Sequence, residues 1–495
     1  MILHPTLDEA RALASQGNLC PLYCEVPADL ETPVSAYLKV ARGKYSYLLE
    51  SVEGGERLAR YSFIGTEPYR TIRSGEGVSG DGSTGDPLVA VEAELSRFKP
   101  VTVDGLPRFT GGAVGYLGYE VVRYFEERVP KGEKDVLLMP ESVFMFTDTL
   151  LVFDHLRHKI QVVSHFRLDG DIEAAYRQAA WRIEELVGRL EKPLAQLPYR
   201  AGTGVANPKA VTSNMTPDEH AAIVNKAKEH IVAGDIIQVV LSQRFQRKTS
   251  AHPFDIYRAL RTINPSPYMF YLDLGEAQLV GTSPEMLVRV EDGKIDYHPI
   301  AGTRPRGATP EEDDALEEDL VKDEKEIAEH VMLLDLGRND VGRVSTAGSV
   351  EVPQVMDIER YSHVMHLVSH VTGRLREGMT SFDALRACFP AGTVSGAPKI
   401  RAMEIIAELE PSQRGPYAGC VGYFDLSGNI DTAITIRTIL MKDGVANVQS
   451  GGGIVYDSDP ATEYAETQSK ARALIRAIEQ AESDAASRPA GSLGY

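Results

Sequence analysis

The sequence predicts an α+β fold, and three observations lead there. Strand-like and helix-like segments come in runs rather than in the strict alternation of a parallel wind. The chain has 495 residues, more than one core usually holds, so two domains or one large composite core are expected. Short strands between turns dominate the first part, whereas strong helix-start signals cluster after about residue 210.

Taken in order, residues 1–195 read as strands separated by turns, for example 45–51 and 150–154, closed by one helix over 172–190 that carries the only tryptophan, Trp181. Residues 192–215 lose periodicity and fill with Pro, Gly, Ala, Thr and Asn, the composition of a linker or domain crossing. The expected division is therefore 1–195 and 208–482, with a frayed tail at 483–495. Thr216-Pro217-Asp218-Glu219 is a capping box with proline at the first helical position, and Gly234 ends that helix. A strand follows at 236–242. Further strands are expected near 268–273, 278–282, 286–291, 420–426, 431–440 and 445–450. Further helices are expected near 254–263, 322–337, 380–389, 398–409 and 461–482.

Bulk composition narrows the function. Apolar residues make up 43%, ordinary for a globular enzyme, and the net charge is −19 from 52 basic and 71 acidic side chains. An acidic chain has no basic stripe with which to displace counterions from phosphates, which argues against a nucleic-acid partner. Four cysteines, Cys20, Cys24, Cys388 and Cys420, match neither a zinc pattern nor a disulfide framework. With no secretory signal and no run of eighteen apolar residues, a cytoplasmic protein without a membrane partner is expected.

Two glutamate pairs stand out: Glu326 with Glu329, and Glu463 with Glu466, the latter followed by Lys470. A spacing of three places both carboxylates on one side of a helix, and Lys470 falls one turn further along. Asp459 and Pro460 mark the start of the second helix. Four such carboxylates suit a hard divalent cation, and Mg2+ fits best, because it takes one or two protein carboxylates and shares its shell with water and substrate. The lysine and a glycine-rich loop at Gly451, Gly452 and Gly453 suggest an anion as the cation's other ligand. Taken singly, glutamates three apart are usually a solvated helix face. The densest acidic stretch, 311–326, is expected to be mostly solvated loop and helix start.

Five segments now line up with one family: PIAGTRPRG at 299–307, DEKEIAEHVMLLDLGRND at 323–340, PAGTVSGAPK at 390–399, GPYAGCVGY at 415–423 and GGGIVYDSDPATEYAET at 451–467. Together they resemble the chorismate-utilising enzymes, and most closely component I of anthranilate synthase. The resemblance runs through the whole chain, including LLES at 48–51 and RYSFIG at 60–65.

That resemblance implies two antiparallel sheets packed face to face and wrapped by helices, with the site at the mouth between them. It implies Glu329 and Glu466 as magnesium ligands, with Glu326 and Glu463 supporting them or reaching through water. Chorismate's enolpyruvyl carboxylate would be held by Tyr417, Arg437, the backbone of Gly451, Gly452 and Gly453, and Lys470; Gly302 and Thr303 belong to the same substrate set. Glu285 corresponds to the acid that protonates the departing C4 hydroxyl, His366 to the histidine associated with pyruvate elimination, and Thr393 to a contact of the substrate hydroxyl region. Read without the family, His366 sits in an apolar helix-like stretch and Arg437 in an alternating strand, the settings of a satisfied core histidine and a solvent-facing arginine.

Two positions separate the sister enzymes. Water-adding members carry a lysine base where this chain has Gln238, and glutamine takes no proton at a useful pH, whereas ammonia is already a nucleophile. The aminodeoxychorismate synthases have a nucleophilic lysine where this chain has Ala301. Ammonia attack at C2, giving anthranilate and pyruvate, is therefore the expected reaction, with aminodeoxychorismate synthesis and a non-catalytic chorismate or tryptophan sensor as alternatives. Ser51 with Pro267, Tyr268 and Met269 matches the family's tryptophan feedback pocket. No glutaminase elbow is present, so a separate glutamine amidotransferase subunit is implied as ammonia source, in a heterodimer or heterotetramer.

Overall fold

Two large antiparallel sheets organise the molecule. The computed structural model describes residues 1–51, 60–75, 85–194, 210–360 and 364–487. The expected linker and the end of the expected tail fall largely outside those residues.

Among the described residues the first sheet has twelve strands, eleven in its ladder and the two-residue Thr212–Ser213 paired to Gln238–Lys248. Its ladder runs from Leu19–Pro27 through Lys159–Arg167, Thr149–Asp154, Tyr61–Thr66 and Tyr45–Glu50 to Tyr268–Leu274 and Ala277–Ser283. It continues through Thr438–Lys442, Val445–Ile454 and Gln238–Lys248 to the two-residue strand Gly396–Ala397. Among the described residues the second sheet has ten strands, in the order Ile300–Pro305, Val364–Arg374, Lys294–Tyr297, Met286–Glu291, Ile430–Ile434, Cys420–Asp425, Gly112–Leu117, Ser142–Thr147 and Arg70–Ser74, with Glu351–Arg360 also paired to Val364–Arg374. Both sheets pass without a break between the segments on either side of residues 195–209. Strand Tyr45–Glu50 pairs with Tyr268–Leu274 (Glu50 opposite Met269), and Gly112–Leu117 pairs with Cys420–Asp425.

Apolar side chains fill three layers. Tyr47, Leu150, Leu272, Leu279 and Leu440 of the first sheet meet Val114, Tyr116, Val143, Met145 and Val421 of the second, and the buried Tyr47 and Thr147 hydroxyls lie 2.9 Å apart across them. The first sheet's outer face is covered by helices Pro33–Val40, Ile172–Leu190, Pro253–Ile263 and Pro460–Ser487. The second sheet's outer face is covered by Pro87–Leu95, Glu324–Gly342 and Ser381–Cys388, while Pro217–Ala233 and Lys399–Leu409 pack on Gln238–Lys248 at the end of the first sheet. Burial on this scale is the main stabilising term for so long a chain.

Helix starts fall where local signals place them. Thr216 accepts from the Glu219 amide while Glu219 returns to the Thr216 amide, and Gly234 closes the helix with φ 82°. Three expectations are corrected. The run around His366 is a strand, Val364–Arg374, because it is paired on one side with Lys294–Tyr297 and Ile300–Pro305 and on the other with Glu351–Arg360, and its burial follows a two-residue rhythm at its start. The acidic stretch is mostly helix, Pro310–Leu320 capped by Thr309 and then Glu324–Gly342 capped by Asp323. The expected strand at 431–440 is two strands in different sheets, Ile430–Ile434 and Thr438–Lys442.

Candidate active site

The crossing at 435–437 decides where the site lies. Between the two strands Arg437 takes a left-handed conformation, φ 50°, and its carbonyl accepts from the Thr282 amide at 3.1 Å. A non-glycine residue there is strained by about 1–2 kcal/mol. The turn moves the chain from one sheet to the other and buries the guanidinium. Burial pulls its pKa down, while Tyr417 and Glu466 are close enough to oppose that shift. Tyr417 is itself buried, and burial pushes its phenol up to about 12, so it stays a neutral hydrogen-bond donor.

Gly451, Gly452 and Gly453 form not a loop but the end of strand Val445–Ile454, paired with Gln238–Lys248. The Val240 amide turns away to Ser395 O at 2.9 Å, so the alternation of an antiparallel ladder directs the Gly451 and Gly453 main chain away from that strand. The Gly451 carbonyl accepts from Lys470 Nζ at 2.9 Å. Each glycine leaves room for a neighbouring candidate side chain. A β-carbon would lie 2.9 Å from Tyr417 Oη at Gly451, 2.9 Å from Glu463 Oε2 at Gly452, and 2.6 Å from Gln238 Nε2 at Gly453.

The glutamate pairs converge on this strand from two helices. Glu329 Oε1 accepts from Gln238 Nε2 at 2.8 Å, which ties the first pair to the sheet beside Gly453. Glu326 lies 3.6 Å from Arg304, and its pKa is raised by burial and then by Glu329 and Asp323. Glu463 is buried, one of its oxygens has no partner, and burial with help from Glu466 raises its pKa. Glu466 pairs with Lys470 at 2.7 Å. A buried carboxylate oxygen without a partner beside like charges is costly, and a cation relieves it. Among the described residues no three His, Cys, Asp or Glu side chains close on one point tightly enough to hold an ion by themselves. The unpartnered Glu463 oxygen beside Glu466 is a setting that would fit a hard divalent cation such as magnesium, which shares its shell with water and substrate.

Glu285 sits between strands Ala277–Ser283 and Met286–Glu291, 7% exposed. Burial raises its pKa to about 8, opposed by one hydrogen bond from Thr393 Oγ1 at 2.9 Å. A carboxyl held protonated at neutral pH can donate a proton. Thr393 lies on the single turn Gly392–Val394. His366 stands opposite Thr303 in the ladder, with Nδ1 2.9 Å from Thr303 Oγ1 and 3.2 Å from Gly302 O. A register shift between Ala301 and Thr303, with Gly302 at φ 71°, aims that carbonyl at the ring. Because a carbonyl only accepts, Nδ1 carries the proton and the lone pair is on Nε2. Burial lowers the His366 pKa and keeps the ring neutral.

The chorismate binding enzyme family matches residues 44–476. Anthranilate synthase component 1 of Acetivibrio thermocellus is 50% identical over 491 residues, covering 97% of this chain and 99% of the relative. That of Pseudomonas aeruginosa is 51% identical over 490 residues, covering 96% and 99%. The crystal structure of anthranilate synthase component I from Streptococcus pneumoniae superimposes with a TM-score of 0.76 at 39% identity, over 91% of this chain and 99% of that one. A menaquinone-specific isochorismate synthase from Escherichia coli, at 19% identity and TM-score 0.70, shares the fold.

The chain belongs to the anthranilate synthase component I family of chorismate-binding enzymes.

In this component I chain the segments expected to hold a tryptophan meet on one ladder. Ser51 follows Glu50, which stands opposite Met269. Tyr268 donates its hydroxyl to Asp431 at 3.2 Å, and Met269 is fully buried in the core. Pro267 directly precedes that strand. Sequence reading missed Arg304, which lies inside a matched segment, pairs with Asp319 and Asp323 at 2.7 Å and so steadies the start of the helix carrying Glu326 and Glu329. It also missed Glu410 and Arg414, whose spacing of four reads as an exposed helical pair although both are buried.

Proposed function

We propose that this protein converts chorismate and ammonia to anthranilate and pyruvate. What carries the reading is Glu285, a carboxyl whose pKa burial pushes up to about 8 and which is hydrogen-bonded to Thr393, in a chain with no lysine at position 238 or 301. Near-full-length identity of about one half to proteins called anthranilate synthase component 1 supports the same reading.

Glu329 and Glu466, with Glu326 and Glu463 behind them, would hold magnesium; when bound, the ion draws electron density from the ring carboxylate it contacts. Arg437 grips the enolpyruvyl carboxylate, with the Tyr417 hydroxyl and the outward Gly451 and Gly453 amides completing the hold. Lys470 neutralises Glu466 and fixes the Gly451 carbonyl. Glu285 donates its proton to the departing C4 hydroxyl while ammonia adds at C2. Gln238 cannot activate water, and its amide instead orients Glu329. Neutral His366, held through Nδ1, takes part in the elimination of pyruvate through Nε2. Ammonia comes from a partner glutamine amidotransferase subunit, and tryptophan bound at Ser51, Pro267, Tyr268 and Met269 inhibits by favouring a substrate-excluding state.

The test is to mix the chain with chorismate, magnesium and ammonium salt at mildly alkaline pH and follow anthranilate fluorescence. Anthranilate with equimolar pyruvate, abolished by chelator, is expected. Chorismate consumed without pyruvate would move the assignment to aminodeoxychorismate synthesis. Binding without consumption would leave a sensor.

A further inference from the structure

Arg414 is the largest fully buried side chain in the described structure, at 1% exposure. A guanidinium taken out of water is tolerable only when its donors are met. Nη1 donates to Val394 O at 2.8 Å, Nη2 to Val240 O at 2.7 Å and to Glu410 Oε1 at 2.6 Å, and Nε to Glu410 Oε2 at 2.9 Å. Its Cζ lies 4.6 Å from the centroid of the Tyr119 ring and 5.5 Å from that of the Tyr417 ring. Glu410 Oε1 also accepts the Ser242 amide at 2.8 Å and hydroxyl at 2.9 Å.

The identity of the acceptors matters more than their number. Val394 follows Thr393, the hydrogen-bond donor to Glu285. Val240 lies two residues beyond Gln238, the donor to Glu329, and Tyr417 belongs to the substrate wall. An ion pair that served packing alone could be replaced by apolar side chains of the same volume without loss. This one bonds to the main chain of the two segments that present functional groups. From this geometry we infer that Arg414, clamped by Glu410, is a positioning residue: it sets the backbone that aims Thr393 at Glu285 and seats the Tyr417 ring, and it touches no reacting atom. The inference rests on the functional reading above for the roles of those groups.

Its test has a readout that needs no turnover. The pH at which Glu285 titrates in the folded full-length chain is taken from the difference in thermal stability between each protein and its Glu285→Gln partner across pH 5–9. That comparison is made in the wild-type and Arg414→Lys backgrounds. Lysine keeps the charge but cannot meet three acceptors in one plane. If Thr393 drifts, Glu285 loses the bond that favours its ionised form, so the titration midpoint in Arg414→Lys rises by about one unit. The kcat for ammonia-dependent anthranilate formation falls about 10–100-fold with the chorismate KM changed by less than about 3-fold, as misplacement of a reacting group predicts. An unchanged midpoint, with only a lower unfolding temperature, overturns the inference. If Arg414→Lys does not fold, Glu410→Gln enters the same comparison under the same criterion. A wild-type chain that makes no anthranilate would defeat the functional reading, and the stability comparison would still decide on Arg414.

Discussion

Glu285 allows a prediction with its magnitude worked from the structure. Its pKa in the folded chain is about 8 against 4.5 for the free group, so folding favours the protonated form. The Glu285 contribution is fully present below about pH 4.5 and is lost as pH rises through about 8. A difference of about 3.5 units at about 1.36 kcal/mol each is about 5 kcal/mol of stability forfeited above pH 8. Glutamine keeps the shape and still accepts from Thr393 but never ionises, so Glu285→Gln removes this dependence. At about 2.1 cal/mol/K per residue, a chain of this length has an unfolding entropy near 1 kcal/mol/K, and about 5 kcal/mol becomes about 5 °C. Scanning calorimetry of both proteins from pH 5 to 9 covers about 3 of those units, so the wild type should lose about 4 °C relative to the variant. Two Tm profiles that stay parallel within about 1 °C across that range would refute a buried, proton-holding Glu285. In the assay, Glu285→Gln should lower kcat by about 100-fold or more, and wild-type kcat should fall above about pH 8.

Three further outcomes follow from the same site. Thr393→Val removes the one bond that favours ionised Glu285, so the high-pH limb of kcat should move up by about one unit; a limb that stays put would separate the two residues. Gly452→Ala places a β-carbon 2.9 Å from Glu463 Oε2 and should raise the magnesium concentration for half-maximal activity, and for thermal protection by magnesium, about 10-fold or more. Arg437→Gly relieves the left-handed strain at φ 50° and should raise the unfolding temperature by about 1 °C while raising the chorismate KM about 10–100-fold, a divergence that steady-state kinetics and calorimetry on one preparation would show.

How much of this was legible beforehand depends on the range of each signal. The capping box at Thr216 and Glu219, the Asp459 cap and the pairs at Glu326/Glu329 and Glu463/Glu466 are complete within a few residues, so the sequence alone determined where those helices start and which carboxylates share a face. The family resemblance pointed to Glu285, His366, Thr393 and Arg437 without saying how any of them is held. The break at 435–437 was invisible because the residues alternate like one strand, and only partners in two different sheets pull them apart. His366 looked helical for a related reason, since its apolar run becomes a strand by pairing with residues far away in the chain. Tertiary structure alone decided that Glu285 is dry enough to keep its proton, that Gln238 reaches Glu329 across 91 positions, and that Arg414 is a buried brace and not an exposed partner of Glu410. Burial and long-range hydrogen bonds belong to the packed sheets, and no window of neighbouring residues contains them.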